Sequence, residues 1–183
     1  MSDPDAPPLE IEAIVAALDQ HEVAYVLVGG LGARFHGATR LTRDFDLCAE
    51  TSRTNLDRLA AALRDLDAKL RGLPEDVHAP VHAELLSRME LAAWRTSAGD
   101  VDVLLGIPAG RMADLRRYPE LVARAVVVEV AGFQVRVAAL EDIIASKEAA
   151  NRQPDREALV ELRALAQRAR RPLQQPEGPT FGL

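Results

Sequence analysis

At 183 residues, nearly half of them apolar, the chain has the length for one sizeable domain, or a core with a small helical appendage, and too little for two large independent domains. No apolar run approaches the roughly eighteen residues needed to cross a bilayer, and residues 1–8 carry Asp3 and Asp5 with no lysine or arginine, the wrong sign for a signal or transit peptide, so a cytoplasmic protein with no membrane partner is expected. A net charge of −6 makes the whole-molecule field repel RNA and free nucleotides, so polyanion binding must be local, while the single Cys48 excludes an intramolecular disulfide and a thiolate zinc cage and reads as a small buried hydrophobe.

Pro7 and Pro8 precede apolar residues at Leu9, Ile11, Ile14, Val15 and Leu18. This spacing predicts an amphipathic first helix opened by proline at its favoured position. Residues 24–28, with Tyr25, Val26, Leu27 and Val28, are rich in β-formers and apolar on both faces, which predicts a buried strand. It runs into Gly29-Gly30, a short helix over 31–36 stopped by Gly37, and a second strand over 45–49. Thr54 with Asp57 three residues later reads as a helix start, and Leu56, Leu59, Leu63, Leu66 and Leu70 keep helical spacing up to Gly72. A loop is expected around 74–80.

Stretches 91–96 and 101–105 then predict two strands joined through Ser97-Ala98-Gly99, and 126–130 with 133–137 a hairpin turning at Ala131-Gly132. From Leu140 the period becomes helical, with Ile143, Ile144 and Lys147 in one segment and Leu159, Leu162 and Leu165 in another, parted by residues 151–154. The expected fold class is α/β, of the α+β kind. A core with a mixed β-sheet flanked by helices spans 1–138, a C-terminal helical module packs on it over 139–171, and a flexible tail follows over 172–183.

Asp44-Phe45-Asp46-Leu47 places two carboxylates at i and i+2, so on a strand both project from one face while Phe45 and Leu47 point to the core. Two adjacent carboxylates repel unless a cation or proton lies between them, and a hard divalent ion such as magnesium takes oxygen ligands. The Gly29-Gly30 turn lies within about twenty residues of the pair, where glycines let backbone N–H groups approach a phosphate. Asp100-Val101-Asp102-Val103 repeats the i, i+2 pattern. Asp102, between two valines and deeper in its strand, is the better third carboxylate, because Asp100 beside the Gly99 turn needs no special explanation.

These residues resemble the nucleotidyltransferase superfamily of DNA polymerase β type, and within it the minimal AbiEii and MenT-like toxin branch. The likeness is carried by Val28-Gly29-Gly30-Leu31, His36-Gly37-Ala38-Thr39-Arg40-Leu41-Thr42-Arg43-Asp44-Phe45-Asp46, Gly99-Asp100-Val101-Asp102, and Leu140-Glu141-Asp142-Ile143-Ile144 leading to Lys147, Arg152 and Asp155. It spans about residues 25–165. It implies a nucleotidyltransferase core and transfer of a nucleoside monophosphate from an NTP, with release of pyrophosphate. In toxins of this branch the acceptor is the 3′ end of tRNA, translation is blocked, and a cognate antitoxin restrains the enzyme. The alternative acceptors are a protein side chain, as in AMPylation, or a small-molecule antibiotic. Gly30 departs from the superfamily, where serine is common.

The resemblance further implies two magnesium ions, one held by Asp44 and Asp46 and one by Asp46 and Asp102. Lys147 would neutralise the triphosphate if its helix packs across the cleft; otherwise it is a solvated lysine. Arg152 acts from the inter-helix loop, and Asp155 either caps the next helix or joins the site. Arg40 and Arg43 are phosphate or RNA contacts, or solvated loop arginines. Arg163, Arg168, Arg170 and Arg171 either offset the last helix's dipole or guide RNA. Phosphorylation of Thr42 would crowd the carboxylates and switch the enzyme off. His21, His36, His78 and His82 lack zinc-ligand spacing.

Overall fold

A computed structural model describes residues 7–73, 79–111 and 113–170. The acidic stretch at 1–6, His78 with most of the 74–80 loop, and the tail expected over 172–183 with Arg171 lie outside the described residues. Nine strands and seven helices are described. A seven-stranded sheet runs in the order β3 (Lys69–Leu70), β4 (Leu91–Thr96), β5 (Gly99–Leu104), β2 (Asp44–Ala49), β1 (Tyr25–Leu27), β9 (Phe133–Val137), β8 (Val126–Val130). β2 pairs parallel with β5 and β1 parallel with β9; the other pairings are antiparallel. The sheet is therefore mixed, as the α+β reading requires.

The period-two alternation of β2 divides the core. Phe45 and Leu47 are fully buried in one apolar cluster with Trp94, Val101 and Val103. That face is covered by α1 (Ile11–Gln20), α3 (Arg53–Asp65) and α4 (Ala83–Arg88) through Ile14, Leu18, Leu56, Leu59, Leu63 and Leu86. Cys48, on the opposite side of β2, is buried in a second cluster with Val26 and Val28. This cluster is closed by α2 (Gly29–Phe35), α5 (Tyr118–Val122), α6 (Leu140–Ala150) and α7 (Gln153–Arg170). Asp44 and Asp46 share the parity of Cys48, so they look toward α6 and α7.

Several boundaries differ from the sequence expectation. Pro7 and Pro8 stand ahead of α1 rather than at its first position, because Glu10 occupies the cap and its N–H is tied to the Ala98 carbonyl at 2.9 Å. The short helix starts at Gly29, not residue 31. Ser52, not Thr54, caps α3, its hydroxyl accepting the Asn55 N–H at 3.3 Å. α3 ends at Asp65 rather than continuing to Gly72, since Asp67 adopts a left-handed φ of 54° and Leu70 pairs with Trp94 in β3. The β8–β9 turn has positive φ at both Ala131 (51°) and Gly132 (87°), the combination that matches strand twist in a two-residue hairpin. α4, α5 and the ribbon β6 (Ile107–Pro108) with β7 (Leu115–Arg116) are too short to leave a readable period. Among the described residues, no helix is long and apolar enough to cross a membrane.

Candidate active site

The parallel pairing of β2 and β5 sets Asp46 directly beside Asp102 and Asp44 beside Asp100. Asp44, Asp46 and Asp102 all line one cleft of about 480 Å³, together with Gly30, Thr42 and Lys147. That volume falls in the range of small-molecule and cofactor sites. Asp100 takes another path. It is buried and held by Arg71 at 3.1 Å and Arg95 at 3.4 Å, and it does not line the cleft.

Gathering carboxylates raises their proton affinity. Burial, then the charges of Asp102 and Asp44, push Asp46 up to about 7, against opposition from the Gly30 N–H and Lys147. Burial and the Asp44 charge push Asp102 up to about 6, with Arg71 opposing. Both groups therefore ask for a cation or a proton. Asp102 Oδ1 is buried without a hydrogen-bond partner; the nearest Arg71 guanidinium nitrogen, at 3.6 Å, is beyond hydrogen-bond reach.

Gly29 is required by the same crowding. It has a left-handed φ of 61°, and a Cβ built on it would stand 2.0 Å from Asp46 Oδ2. The backbone of Gly30 opposes the rise in the Asp46 carboxyl's proton affinity.

Across the cleft lie the cations. Asn151 takes a left-handed φ of 47°, which breaks α6 from α7 and turns the chain so that Lys147, Arg152 and Asp155 converge. Lys147 Nζ donates to Asp155 Oδ1 at 3.2 Å and Arg152 Nε to Asp155 Oδ2 at 2.7 Å. Burial pushes the Asp155 carboxyl up, but the bonds and charges of Arg152 and Lys147 outweigh it and hold the group below its ordinary range. The Asp155 side chain thus binds the two cations instead of capping α7, and Lys147 is a cleft residue, not a solvated one.

The loop 38–43 forms the rim. Thr39 is held by Glu161 through its N–H and hydroxyl, each at 2.9 Å, and Arg40 pairs with Glu157 at 3.0 Å. Arg43 lines the cleft exposed. Thr42 precedes β2 and so sits in this loop rather than on the strand, yet it too lines the cleft. On the C-terminal helix, Arg163 pairs with Glu148 at 2.8 Å and Arg170 with Glu141 at 3.3 Å, so both are engaged by α6. Sequence reasoning missed Arg71, the rim glutamates and the dual role of Asp155. The signal for Arg71 was present: recognising β3 would have set it one residue past the strand that flanks β4.

Among the described residues no group of three or more His, Cys, Asp or Glu side chains is placed to hold a metal ion as it stands. The fit to magnesium rests on the donor set. Three carboxylates supply only hard oxygen ligands, two of them are held at raised proton affinity, and one oxygen is buried with no donor to satisfy it. Such an open, oxygen-only site suits an ion that keeps waters and binds with a substrate phosphate.

The mixed sheet flanked by helices is the fold of solved nucleotidyltransferase structures. The family described as nucleotidyl transferase of unknown function (DUF2204) matches residues 94–176, a span that holds Asp102, Lys147, Arg152 and Asp155. The crystal structure of ANT(2")-Ia in complex with adenylyl-2"-tobramycin is similar at 20% identity and a TM-score of 0.51, over 87% of this chain and 86% of that one. The lincomycin-bound lincosamide antibiotic adenylyltransferase LnuA is similar at 12% identity and a TM-score of 0.55, over 86% and 99%. No curated protein sequence matches the chain. At these identities the structures establish the fold.

Proposed function

We propose that the protein is a magnesium-dependent nucleotidyltransferase that moves a nucleoside monophosphate from an NTP to the 3′ end of tRNA, acting as the toxin of a toxin–antitoxin pair. One observation carries the chemistry: three carboxylates from two paired strands face Lys147 and Arg152 across a single cleft. Asp44 with Asp46, and Asp46 with Asp102, are the residues to hold the ions, which when bound lower the pKa of the acceptor hydroxyl and offset the triphosphate charge.

The acceptor hydroxyl gives its proton to water in the open cleft, its oxygen forms a bond to the α-phosphorus, the bond from that phosphorus to the bridging oxygen breaks, and pyrophosphate leaves. Lys147 and Arg152 stabilise the departing charge, and Asp155 holds both in place. Arg40 and Arg43 on the rim meet phosphate oxygens of the NTP or the RNA. Phosphorylation of Thr42 places a further anion beside the three carboxylates and silences the enzyme; full activity of Thr42→Glu would count against this.

The tRNA acceptor and the antitoxin rest on the motif likeness, and the cytoplasmic setting on the charge and hydropathy of the sequence. A second reading keeps the chemistry and changes the acceptor to a small hydroxylated molecule or a protein side chain. It is favoured by the pairing of Arg40, Arg163 and Arg170 with glutamates, which offsets the charge these three arginines would present to RNA. It also draws on the antibiotic ligands of the two similar structures. Incubation with each α-labelled NTP, total RNA, cell extract and a panel of aminoglycosides and lincosamides separates the readings. Label at RNA 3′ ends supports the first; label confined to protein or small molecule rejects it.

A further inference from the structure

We propose that Thr42 supplies the side-chain hydroxyl that holds the triphosphate, in the place where residue 30 offers none. The inference rests on the nucleotidyltransferase reading and assigns a ligand contact within that cleft. Gly30 and Thr42 are neighbours on its wall. A Cβ on Gly30 would stand 3.0 Å from Thr42 Oγ1 and 3.1 Å from Thr42 Cβ, so the threonine fills the space a side chain at 30 would need. Of the two residues that meet at this point of the wall, only Thr42 carries a hydroxyl, and it lines the cleft.

That hydroxyl is poorly engaged and well placed. Its contact in the protein is a long 3.4 Å donation to the Asp44 carbonyl, at the weak end for O–H···O geometry. The loop that carries it is fixed at Thr39 by Glu161 and at Arg40 by Glu157, so Thr42 does not need ordering when the ligand arrives. Arg43, one residue on, reaches the same cleft. A terminal phosphate lying against Gly30 would meet the hydroxyl, with Arg43, Lys147 and Arg152 on the cleft walls to balance its charge. A phosphoryl group attached to Thr42 would then occupy the ligand's own position.

The test is equilibrium binding of non-hydrolysable analogues of the four NTPs, with magnesium, to the full chain by calorimetry. A hydrogen bond to a charged group predicts that Thr42→Val weakens binding about 10- to 100-fold, while Thr42→Ser, which keeps the hydroxyl, stays within about threefold. Gly30→Ser alone collides with Thr42 and binds poorly; Gly30→Ser with Thr42→Gly moves the hydroxyl to residue 30 and restores binding relative to either single change. Circular dichroism of each variant checks that the fold is intact. Wild-type affinity in Thr42→Val, or equal losses in Thr42→Val and Thr42→Ser, overturns the assignment alone. Absence of binding by the wild-type chain to every analogue overturns it together with the nucleotidyltransferase reading.

Discussion

Asp46→Asn should make the metal-free protein more stable while removing its activity. The Asp46 carboxyl sits at about 7 against an ordinary 3.8, and each pH unit of that gap is worth about 1.4 kcal/mol. Ionising it thus costs the metal-free fold at most about 4 kcal/mol. Its neighbours share that cost and the cleft admits water, so replacing it with a neutral isostere should recover about 1–3 kcal/mol. For a domain of this size this corresponds to a melting temperature higher by about 3–10 °C. The sign follows from proton binding. Between the ordinary and raised values the folded state holds more protons than the unfolded one, so wild-type stability falls as pH rises from about 4 to about 7 and the deficit is complete above that. Thermal melts in chelator at pH 5 and pH 8 should show a variant advantage at pH 8 more than twice that at pH 5. A variant no more stable at pH 8, or an advantage independent of pH, would show that the Asp46 carboxylate does not strain the metal-free fold.

Magnesium should reverse the ranking: at pH 8 it should raise the melting temperature of the wild type more than that of Asp46→Asn, and more at pH 8 than at pH 5, where protons compete for the carboxylates. Gly29→Ala should keep the fold by circular dichroism yet lose at least about 100-fold in pyrophosphate release, because its methyl would stand 2.0 Å from Asp46 Oδ2. Asp155→Ala should lower kcat/KM by about tenfold or more and cost about 1–3 kcal/mol in urea melts, since Lys147 loses a buried partner while Arg152 is solvated enough to soften the loss. Asp142, fully buried against Arg116 and Arg124 at the start of α6, should cost about 3 kcal/mol when changed to alanine, read from the urea midpoint.

The carboxylates were legible because strand alternation is local: Phe45 and Leu47 declare one face of β2, and Asp44 and Asp46 fall on the other without knowledge of the rest of the chain. What the sequence could not declare was the register that seats Asp102 beside Asp46, since parallel pairing joins strands more than fifty residues apart through tertiary contacts. The hairpins at Ser97-Ala98 and Ala131-Gly132 were legible for the opposite reason, their partners being neighbours in sequence. The leucine spacing from Leu56 to Leu70 misled because Leu66 and Leu70 are also buried or half-buried after the helix has ended, one at its cap and one in β3. That error hid Arg71 and its bond to Asp100. The bridge from Asp155 to Lys147 and Arg152 depends on the turn at Asn151, whose left-handed backbone is unmarked by glycine.

If Asp44, Asp46 and Asp102 form one ion-holding centre for nucleotidyl transfer, losing any one carboxylate should abolish turnover. Pyrophosphate release, followed with each NTP, magnesium and an acceptor extract, should be robust in the wild type and fall to background in both Asp46→Asn and Asp102→Asn, with each variant still folded. Undiminished release from either variant would mean that the three carboxylates do not act as one centre.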